Sequence, residues 1–215
     1  MWIQYMRIPD PIKPFVHEFA KLPGIGPRQA IRLAYYLANN KNTATDISVA
    51  LQIIQGLKIC SACFATYSNQ ENPRSPISLN QQELCGICGD QTRDQGIIAI
   101  IEKETDLISI ESIQKYHGVY LCLGDVKKNG KLDDSQKIKL DTLKNRAAST
   151  TGGKFEEIII AFSPTTAGDI SAEIIAEYLR GTATKITRLG RGIPIGGEVE
   201  FADPETLQEA IEGRK

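Results

Sequence analysis

The chain lacks any long hydrophobic run. No apolar stretch approaches the roughly 18 residues that a membrane-spanning helix requires. The first residues, from Met1 to Asp10, also lack the basic stretch followed by an apolar stretch that marks a secretory signal. We therefore expect a cytoplasmic protein, in a compartment that keeps thiols reduced, and we do not expect disulfides among its 5 cysteines.

The chain also has little net charge, −1, which argues against a uniformly basic nucleic-acid binder. The charge is unevenly spread, however. Residues 1–60 carry seven Lys and Arg against three Asp and Glu, a balance of +4, and the rest carries 18 against 23, a balance of −5. Basic groups that neutralise phosphates release counterions and supply most sequence-independent affinity for DNA. The pattern favours a basic N-terminal module on an acidic body; chance clustering on a solvated face is the alternative.

Four cysteines form two Cys-x-x-Cys pairs, Cys60/Cys63 and Cys85/Cys88. Each such turn can present two thiolates to one ion, and zinc favours four such ligands in a tetrahedron. The pairs therefore predict one closed structural Zn²⁺ site per chain, with no position open for catalysis. A redox dithiol is the alternative for a single pair, but the second pair favours metal. His117 lies far along the chain and is not expected to be a ligand.

The basic module contains a turn between two helical patterns. Apolar residues recur at helical spacing over 12–19 and again over 30–37. Between them lies Leu22-Pro23-Gly24-Ile25-Gly26-Pro27-Arg28, in which Pro27 suits the first turn of the second helix. The sequence thus predicts two helices joined by a tight hairpin.

This turn carries the candidate DNA-binding residues. Gly24 and Gly26 permit positive φ and remove side chains, so that backbone N–H groups at the second helix can approach a phosphate. Arg28 and Arg32 lie four residues apart and project from one helical face beside them. We predict backbone contacts by these residues, with Lys21 as a lesser candidate.

A third helix is predicted from apolar spacing over 47–57, with Thr45 and Asp46 as capping candidates. After the first cysteine pair, residues 64–84 are rich in Ser, Asn, Gln and Pro. We predict a surface excursion closed at its base by the metal.

From Gly96 onward, apolar runs alternate with helical patterns. Alternation of this kind predicts a mainly parallel sheet covered by helices. Cys122 falls inside one apolar run and is expected to be a buried strand thiol. Strands are predicted over 97–101, 119–123, 157–162 and 185–189, and helices over 107–113 and 171–179.

The hairpin segment 22–28 resembles the helix-hairpin-helix family of sequence-independent DNA binders, whose loop has the pattern apolar-Pro-Gly-apolar-Gly. The resemblance implies contacts to the DNA backbone and none to base edges. Some hairpins of this kind only pack against partner proteins, and that alternative stays open.

The glutamate that ends the first predicted strand, Glu102, resembles the acid of the Toprim domain of topoisomerases, primases and related nucleases. There it works near an Asp-x-Asp pair that binds Mg²⁺. Here Asp169 matches one acid of the pair, but Ala167 occupies the other position, and no hydroxyl nucleophile is identifiable. We therefore expect neither catalysis nor a Mg²⁺ cofactor. Glu102, Asp106 and Asp169 are expected to bind a partner or residual Mg²⁺. For Glu102 and Asp106 the alternative is a role as helix-start charges.

The order of hairpin, four-cysteine site and Toprim-like domain resembles the RecR family of bacterial recombination mediators. Residues 187–203, with Gly192-Ile193-Pro194-Ile195-Gly196-Gly197, are similar to that family's C-terminal segment. Asp203-Pro204 is expected to cap a final helix that ends before Gly213. Three segments depart from the family pattern: the long interval between the cysteine pairs, residues 125–138, and residues 163–169.

The resemblance implies an α+β fold of several modules. These are a helix-hairpin-helix DNA-binding module over 1–58, a four-cysteine zinc finger over 59–92, a Toprim-like α/β domain over 93–184 and a C-terminal oligomerisation segment over 185–215.

The implied function is that of a non-catalytic, nucleoid-associated mediator of recombinational DNA repair. It would act with RecO, and possibly RecF, to promote loading of RecA on gapped or single-stranded DNA, as a homotetrameric ring. Two rivals remain. A Toprim-type Mg²⁺-dependent DNA-processing enzyme would show strand cleavage or synthesis that Glu102→Gln abolishes, and a zinc-stabilised adaptor would bind no DNA at any salt concentration.

Overall fold

The computed structural model describes residues 8–68, 83–127, 130–150 and 152–214. Most of the excursion expected between the cysteine pairs lies outside these ranges. The chain divides into two compact units, Met1–Leu57 and Lys58–Lys215. None of the helices within the described ranges has the length and apolar character needed to cross a membrane.

The first unit is built from three helices: α1 (Ile12–Phe19), α2 (Pro27–Asn39) and α3 (Lys41–Gln55). Its small core joins α1 to α2 through Val16, Ala30 and Ala34, which are buried. The two alanines bring the helix backbones close together, and Ile25 of the connecting turn packs against them. The predicted hairpin is confirmed.

The start of α3 differs from the prediction. The helix begins at Lys41, and the backbone N–H of Ala44 already bonds to the carbonyl of Asn40 (3.1 Å). Thr45 lies inside the helix, where its hydroxyl donates to the carbonyl of Lys41 (3.0 Å). The expectation that Thr45 and Asp46 cap this helix is therefore wrong, because its polar first turn carries no apolar periodicity from which a start could be read.

The second unit begins with a two-stranded antiparallel ribbon, β1 (Lys58–Ile59) with β2 (Thr66–Tyr67). A sheet of four parallel strands follows: β3 (Asp94–Ile101), β4 (Gly118–Cys122), β5 (Phe155–Ile160) and β6 (Ala183–Arg188). Across the sheet the strands lie in the order β4-β3-β5-β6. The predicted strands and the parallel sheet are confirmed.

Four helices and one 3₁₀ turn accompany the sheet within the described ranges. The final helix is capped as predicted: the Asp203 carboxylate accepts a hydrogen bond from the backbone N–H of Thr206 (2.9 Å), and the helix ends before Gly213. The elements are α4 (Glu104–Ser112), α5 (Asp134–Ala148), α6 (Thr166–Tyr178), the 3₁₀ turn Val199–Phe201 and α7 (Pro204–Glu212).

The sheet has two different faces. Ile98 and Ile100 point to one face, where Leu140 and Leu143 of α5 and Ile175 of α6 pack against them. The alternate strand residues point to the other face and pack against a second buried cluster. That cluster contains Ala99, Ile101, Tyr120, Cys122 and the four paired cysteines, with Leu107 and Ile110 of α4 at its edge.

The sequence did not predict α5. Its start is nevertheless well defined, because Asp133 and Gln136 exchange hydrogen bonds between side chain and backbone (2.9 and 3.0 Å). The Gln136 amide, which is buried, also donates to the carbonyl of Asp125 (3.1 Å). Asp125, the first residue of the segment 125–138 that departs from the family pattern, is thereby tied to the first turn of α5.

Gly130 allows this segment to approach α6. It has φ of +69°, and a methyl group at this position would lie 2.6 Å from Ile174 and 2.7 Å from Ile170. We predict that Gly130→Ala lowers the free energy of unfolding by about 2–4 kcal/mol, from backbone strain together with overpacking. Urea unfolding followed by circular dichroism measures this loss.

Gly181→Ala is the matched control. Gly181 has a similar φ, +81°, but no atom lies within 4 Å of its added methyl group. In this variant the free energy of unfolding should fall by only about 1 kcal/mol, which is the cost of a positive φ for alanine. Equal losses in the two variants would show that the approach to α6 contributes nothing.

Candidate functional site

The four paired cysteines come together at the start of the second unit. Their sulfur atoms all lie within 4.8 Å of one another, and all four side chains are buried. The Sγ atoms of Cys63 and Cys85 are 3.6 Å apart. Sulfur atoms placed tetrahedrally at the usual zinc–thiolate distance of about 2.3 Å are about 3.8 Å apart. The spacing fits one four-coordinate ion.

The two Cys-x-x-Cys turns have the same backbone geometry. The N–H of Phe64 bonds to the carbonyl of Cys60 (3.0 Å), and the N–H of Gly89 bonds to that of Cys85 (2.9 Å). Backbone N–H groups also point at the sulfur atoms: Cys85 N–H at Cys60 Sγ and Cys88 N–H at Cys85 Sγ, both at 3.4 Å. These bonds stabilise thiolates, as the turns of a metal site require.

The thiols perturb one another strongly. Hydrogen bonds from Cys63, Cys85 and Cys88 hold the pKa of Cys60 well below its usual range, whereas the hydrogen bond with Cys60 raises the pKa of Cys63 and of Cys88. A divalent cation bound by all four sulfur atoms would replace the thiol protons and offset half of the charge of the four thiolates.

The metal-binding turns are attached to the sheet through the backbone. The N–H of Cys122, at the end of β4, donates to the carbonyl of Cys63 (2.7 Å). Arg146 of α5 donates to the carbonyl of Ala62 (3.0 Å). The geometry of the first turn is therefore coupled to a sheet strand and to a helix that the sequence did not associate with the metal.

Cys122 is the buried strand thiol that was expected, and it lies outside the four-sulfur group. Burial raises the pKa of its thiol to about 11, so it remains protonated and unreactive at neutral pH. Over the described ranges, the four paired cysteines form the one group of three or more His, Cys, Asp or Glu side chains close enough to hold a metal.

The predicted DNA-binding residues of the hairpin and of α2 are all exposed. Gly24 adopts φ of +76°, the left-handed conformation that suits glycine, whereas Gly26 has φ of −83° and serves as the N-cap of α2. Both glycines are open to solvent, with nothing within 4 Å of an added methyl group. Neither Arg28 nor Arg32, both exposed, takes part in an ion pair with any described residue.

Lys21 is placed differently. Its ammonium group lies 2.7 Å from the carboxylate of Glu18, in an ion pair across the end of α1. Lys13 is similarly paired with Asp10, at 2.6 Å. The two arginines are therefore the cations beside the hairpin whose charge is most available to a ligand.

The Toprim-like acids lie at the carboxyl end of the sheet, as expected, but each has a protein partner. Glu102 accepts a hydrogen bond from the backbone N–H of Ser163 (3.3 Å), which links the ends of β3 and β5. Asp106 accepts from the backbone N–H of Lys103 (2.9 Å) and so closes the first turn of α4. Asp106 thus has the role of a helix-start charge.

Asp169 lies between two arginines for which the sequence pattern predicted no role. Arg188 at the end of β6 and Arg191 just after it both donate to its carboxylate, and Arg191 also lies 3.8 Å from Glu209 of α7. Hydrogen bonds from Arg188 and then Arg191 lower the pKa of Asp169. A signal was available, since Arg188 lies near the carboxyl end of the strand predicted over 185–189, at the sheet edge where Asp169 was expected.

Comparison with known families gives three matches along the chain. The RecR helix-hairpin-helix model matches residues 12–54. The Toprim domain model matches residues 96–190, and the RecR C-terminal model matches residues 192–215.

The position of the sulfur cluster in the core predicts a wide effect of metal removal. Chelation should destabilise the whole second unit, because the cluster forms part of the packing on one sheet face. We expect the melting temperature to fall by roughly 10 °C or more, since about 2–4 °C corresponds to each kcal/mol in a chain of this size. Thermal unfolding with and without EDTA, together with elemental analysis, measures this.

Cys60→Ser and Cys122→Ala provide the comparison for that experiment. Cys60→Ser should lose the metal and melt like the chelated protein, whereas Cys122→Ala should keep full metal content with a small stability loss. An unchanged melting curve after verified metal removal would contradict the coupling of the cluster to the sheet.

Asp169 predicts a pH-dependent anchor for the C-terminal segment. The folded protein lowers the pKa of Asp169. The ionised carboxylate therefore stabilises the fold at pH values above the ordinary aspartate pKa of about 3.9, and this stabilisation is lost as the pH falls through the lower pKa of the folded state. Asp169→Asn should cost about 1 kcal/mol at neutral pH, after allowance for solvent screening. Hydrogen exchange at α7 should then speed up.

The control for this change is Asp134→Asn, which removes an exposed pair with Lys137 (3.4 Å). It should leave exchange at α7 unaltered. Equal exchange rates in the parent and Asp169→Asn at pH 7 would refute the anchor.

Proposed function

The chain belongs to the RecR family, whose members mediate recombination in DNA repair. We propose on that basis that it acts as a non-catalytic mediator that binds DNA through its hairpin. The observation that carries the proposal is the pair of exposed arginines at the start of α2, neither of them in an ion pair with any residue that the structure describes. Lys13 and Lys21, by contrast, are already paired with the neighbouring carboxylates of Asp10 and Glu18.

Phosphate is the ligand that best fits the start of α2. Gly26 carries no side chain that would keep a phosphate away, and the helix dipole adds positive potential where Arg28 and Arg32 project. Such contacts position a protein on DNA but read no sequence. We therefore propose sequence-independent backbone binding through Lys21, Gly24, Gly26, Arg28 and Arg32, with the two arginines as the main contacts.

For the cysteine cluster we propose one structural Zn²⁺ per chain. Four buried thiolates in a small, closed cluster form the ligand set that structural zinc sites use, and no sulfur is replaced by water or carboxylate. Bound zinc would supply a rigid cross-link between the two Cys-x-x-Cys turns. The backbone N–H groups of Cys85 and Cys88 orient sulfur atoms for it and stabilise the negative charge that zinc leaves on them.

The absence of catalysis is supported by how the acids are used. Asp169 is neutralised by two arginines, Asp106 closes a helix turn, and Ala167 offers no carboxylate. A Mg²⁺ ion would have to displace both arginines from Asp169 and would still lack an oxygen ligand. We propose that Glu102 and the neighbouring carboxylates serve a partner-binding surface.

Assembly into a ring is supported by exposed apolar side chains in both units. Ile53 on α3 is 67% exposed, and Phe201 near the C-terminus is 79% exposed. Exposed groups of this kind mark association surfaces. We propose a homotetramer that uses the hairpin modules and the C-terminal segments for its contacts, with module bounds of 1–58, 59–92, 93–184 and 185–215.

As implied by the family, this assembly would act on gapped or single-stranded DNA together with RecO, and possibly RecF, to promote RecA loading. The location proposed is the cytoplasm, at the nucleoid.

The double variant Arg28→Ala/Arg32→Ala tests the DNA clamp. We expect at least about tenfold weaker binding to gapped DNA and a flatter dependence on salt, because each lost phosphate contact removes roughly 0.7–0.9 from the slope of log K against log salt. Fluorescence anisotropy at several salt concentrations measures both quantities.

The control is Lys13→Ala/Lys137→Ala, which removes two positive charges that each pair with an aspartate three residues away. Its affinity and salt dependence should stay close to those of the parent. If the arginine variant binds as well as this control, the hairpin does not contact DNA, and an adaptor role replaces the proposal.

A further inference from the structure

A pocket opens beside the hairpin turn in the first unit. Its volume is ≈ 690 Å³, within the range of pockets that bind small molecules. Four of the lining residues recur at helical spacing on α2, so this helix forms one wall and the turn forms the other. The lining comprises Gly24, Ile25, Gln29, Arg32, Leu33 and Tyr36.

The lining combines apolar surface with positive charge. Tyr36 is 55% exposed and Leu33 is 37% exposed, so both present ring or aliphatic surface to the pocket. Arg32 adds the charge, and no acidic side chain is part of the lining. Gln29 accepts a hydrogen bond from the backbone N–H of Gly26 at 3.4 Å, which leaves its amide NH₂ group as a donor.

We propose that this pocket binds one unpaired nucleotide of single-stranded DNA. The base stacks on the Tyr36 ring and packs against Leu33, and its phosphate lies against Arg32 at the start of α2. Stacking on an aromatic side chain within a positively charged groove is a general way to hold single strands without reading their sequence. The proposal rests on the DNA-binding function proposed above and adds to it a preference for unpaired bases.

Charge complementarity favours a nucleotide over an apolar protein surface. A second copy of the chain that covered Leu33 and Tyr36 with apolar side chains would bury Arg32 with no counter-charge, which is costly. A nucleotide supplies both an apolar surface and a counter-charge, because its base covers Leu33 and Tyr36 and its phosphate pairs with Arg32.

Tyr36→Ala tests the proposal, and Tyr35→Ala is its matched control. Tyr35 is the preceding residue on the same helix and is 40% exposed, but it does not line the pocket. The probes are a 20-mer oligodeoxythymidylate, a strand of equal length with abasic sugars, and a duplex of equal length. Fluorescence anisotropy gives the affinity of the full-length protein for each.

Tyr36→Ala should weaken binding to the oligodeoxythymidylate by about 5- to 150-fold, which is the loss of one stacked base. Binding to the abasic strand and to the duplex should not change, because the phosphate contacts remain. Tyr35→Ala should match the parent on all three probes, and Tyr36→Phe should also do so, since stacking needs only the ring.

Three outcomes overturn the proposal. They are unchanged binding of Tyr36→Ala to the oligodeoxythymidylate, an equal loss on the abasic strand, and a smaller assembly of Tyr36→Ala in sedimentation velocity, which would make the pocket a subunit contact. Far-UV circular dichroism confirms that each variant is folded.

Failure of the clamp gives a different result. If Arg28→Ala/Arg32→Ala binds all three probes as well as the parent, the backbone-clamp function fails. The contrast between base-containing and abasic strands still reports separately on Tyr36.

Discussion

The second unit depends on a cluster of four cysteines that closes one face of its sheet. Helices α5 and α6 cover the opposite face, but Ile101, Tyr120 and Cys122 pack against sulfur atoms and α4. The four sulfur atoms are close enough together to share one ion, which would cross-link the two Cys-x-x-Cys turns that pack on this face. The bond between Cys122 N–H and the Cys63 carbonyl then transmits the geometry of the metal site into β4. The metal site is therefore part of the core and not a separate appendage.

At the carboxyl end of the sheet, an acid that resembles a Toprim metal ligand has a structural role. An aspartate that would face Mg²⁺ in a catalytic relative is held here by Arg188 and Arg191, and Arg191 extends the network to Glu209 of α7. The same carboxylate therefore attaches the C-terminal segment to the sheet. Replacement of the second acid by Ala167 is consistent with this change, because an extra carboxylate there would compete for the arginines.

The sequence predicted the parallel sheet and the hairpin because both depend on local patterns. Short apolar runs mark buried strands, and a turn that contains Gly24 and begins a helix at Pro27 leaves few conformations open. Helix α5 was missed because its apolar face is narrow and its start depends on one reciprocal cap between Asp133 and Gln136. The partners of Asp169 were missed because ion pairs join residues about twenty positions apart, and only the sheet topology brings them together.

The hairpin carries too few charges to hold DNA firmly by itself. Two arginines in contact with phosphates give a slope of log K against log salt of only about −1.4 to −1.8, which corresponds to weak binding at physiological salt. Four copies of the hairpin on one strand would make the slope steeper, about −6 to −7, in the range of proteins that bind DNA tightly. A subunit with net charge −1 can thus bind a polyanion if its few available cations are gathered by assembly. Base stacking beside each hairpin would then decide between single strands and duplex, which backbone contacts alone do not distinguish.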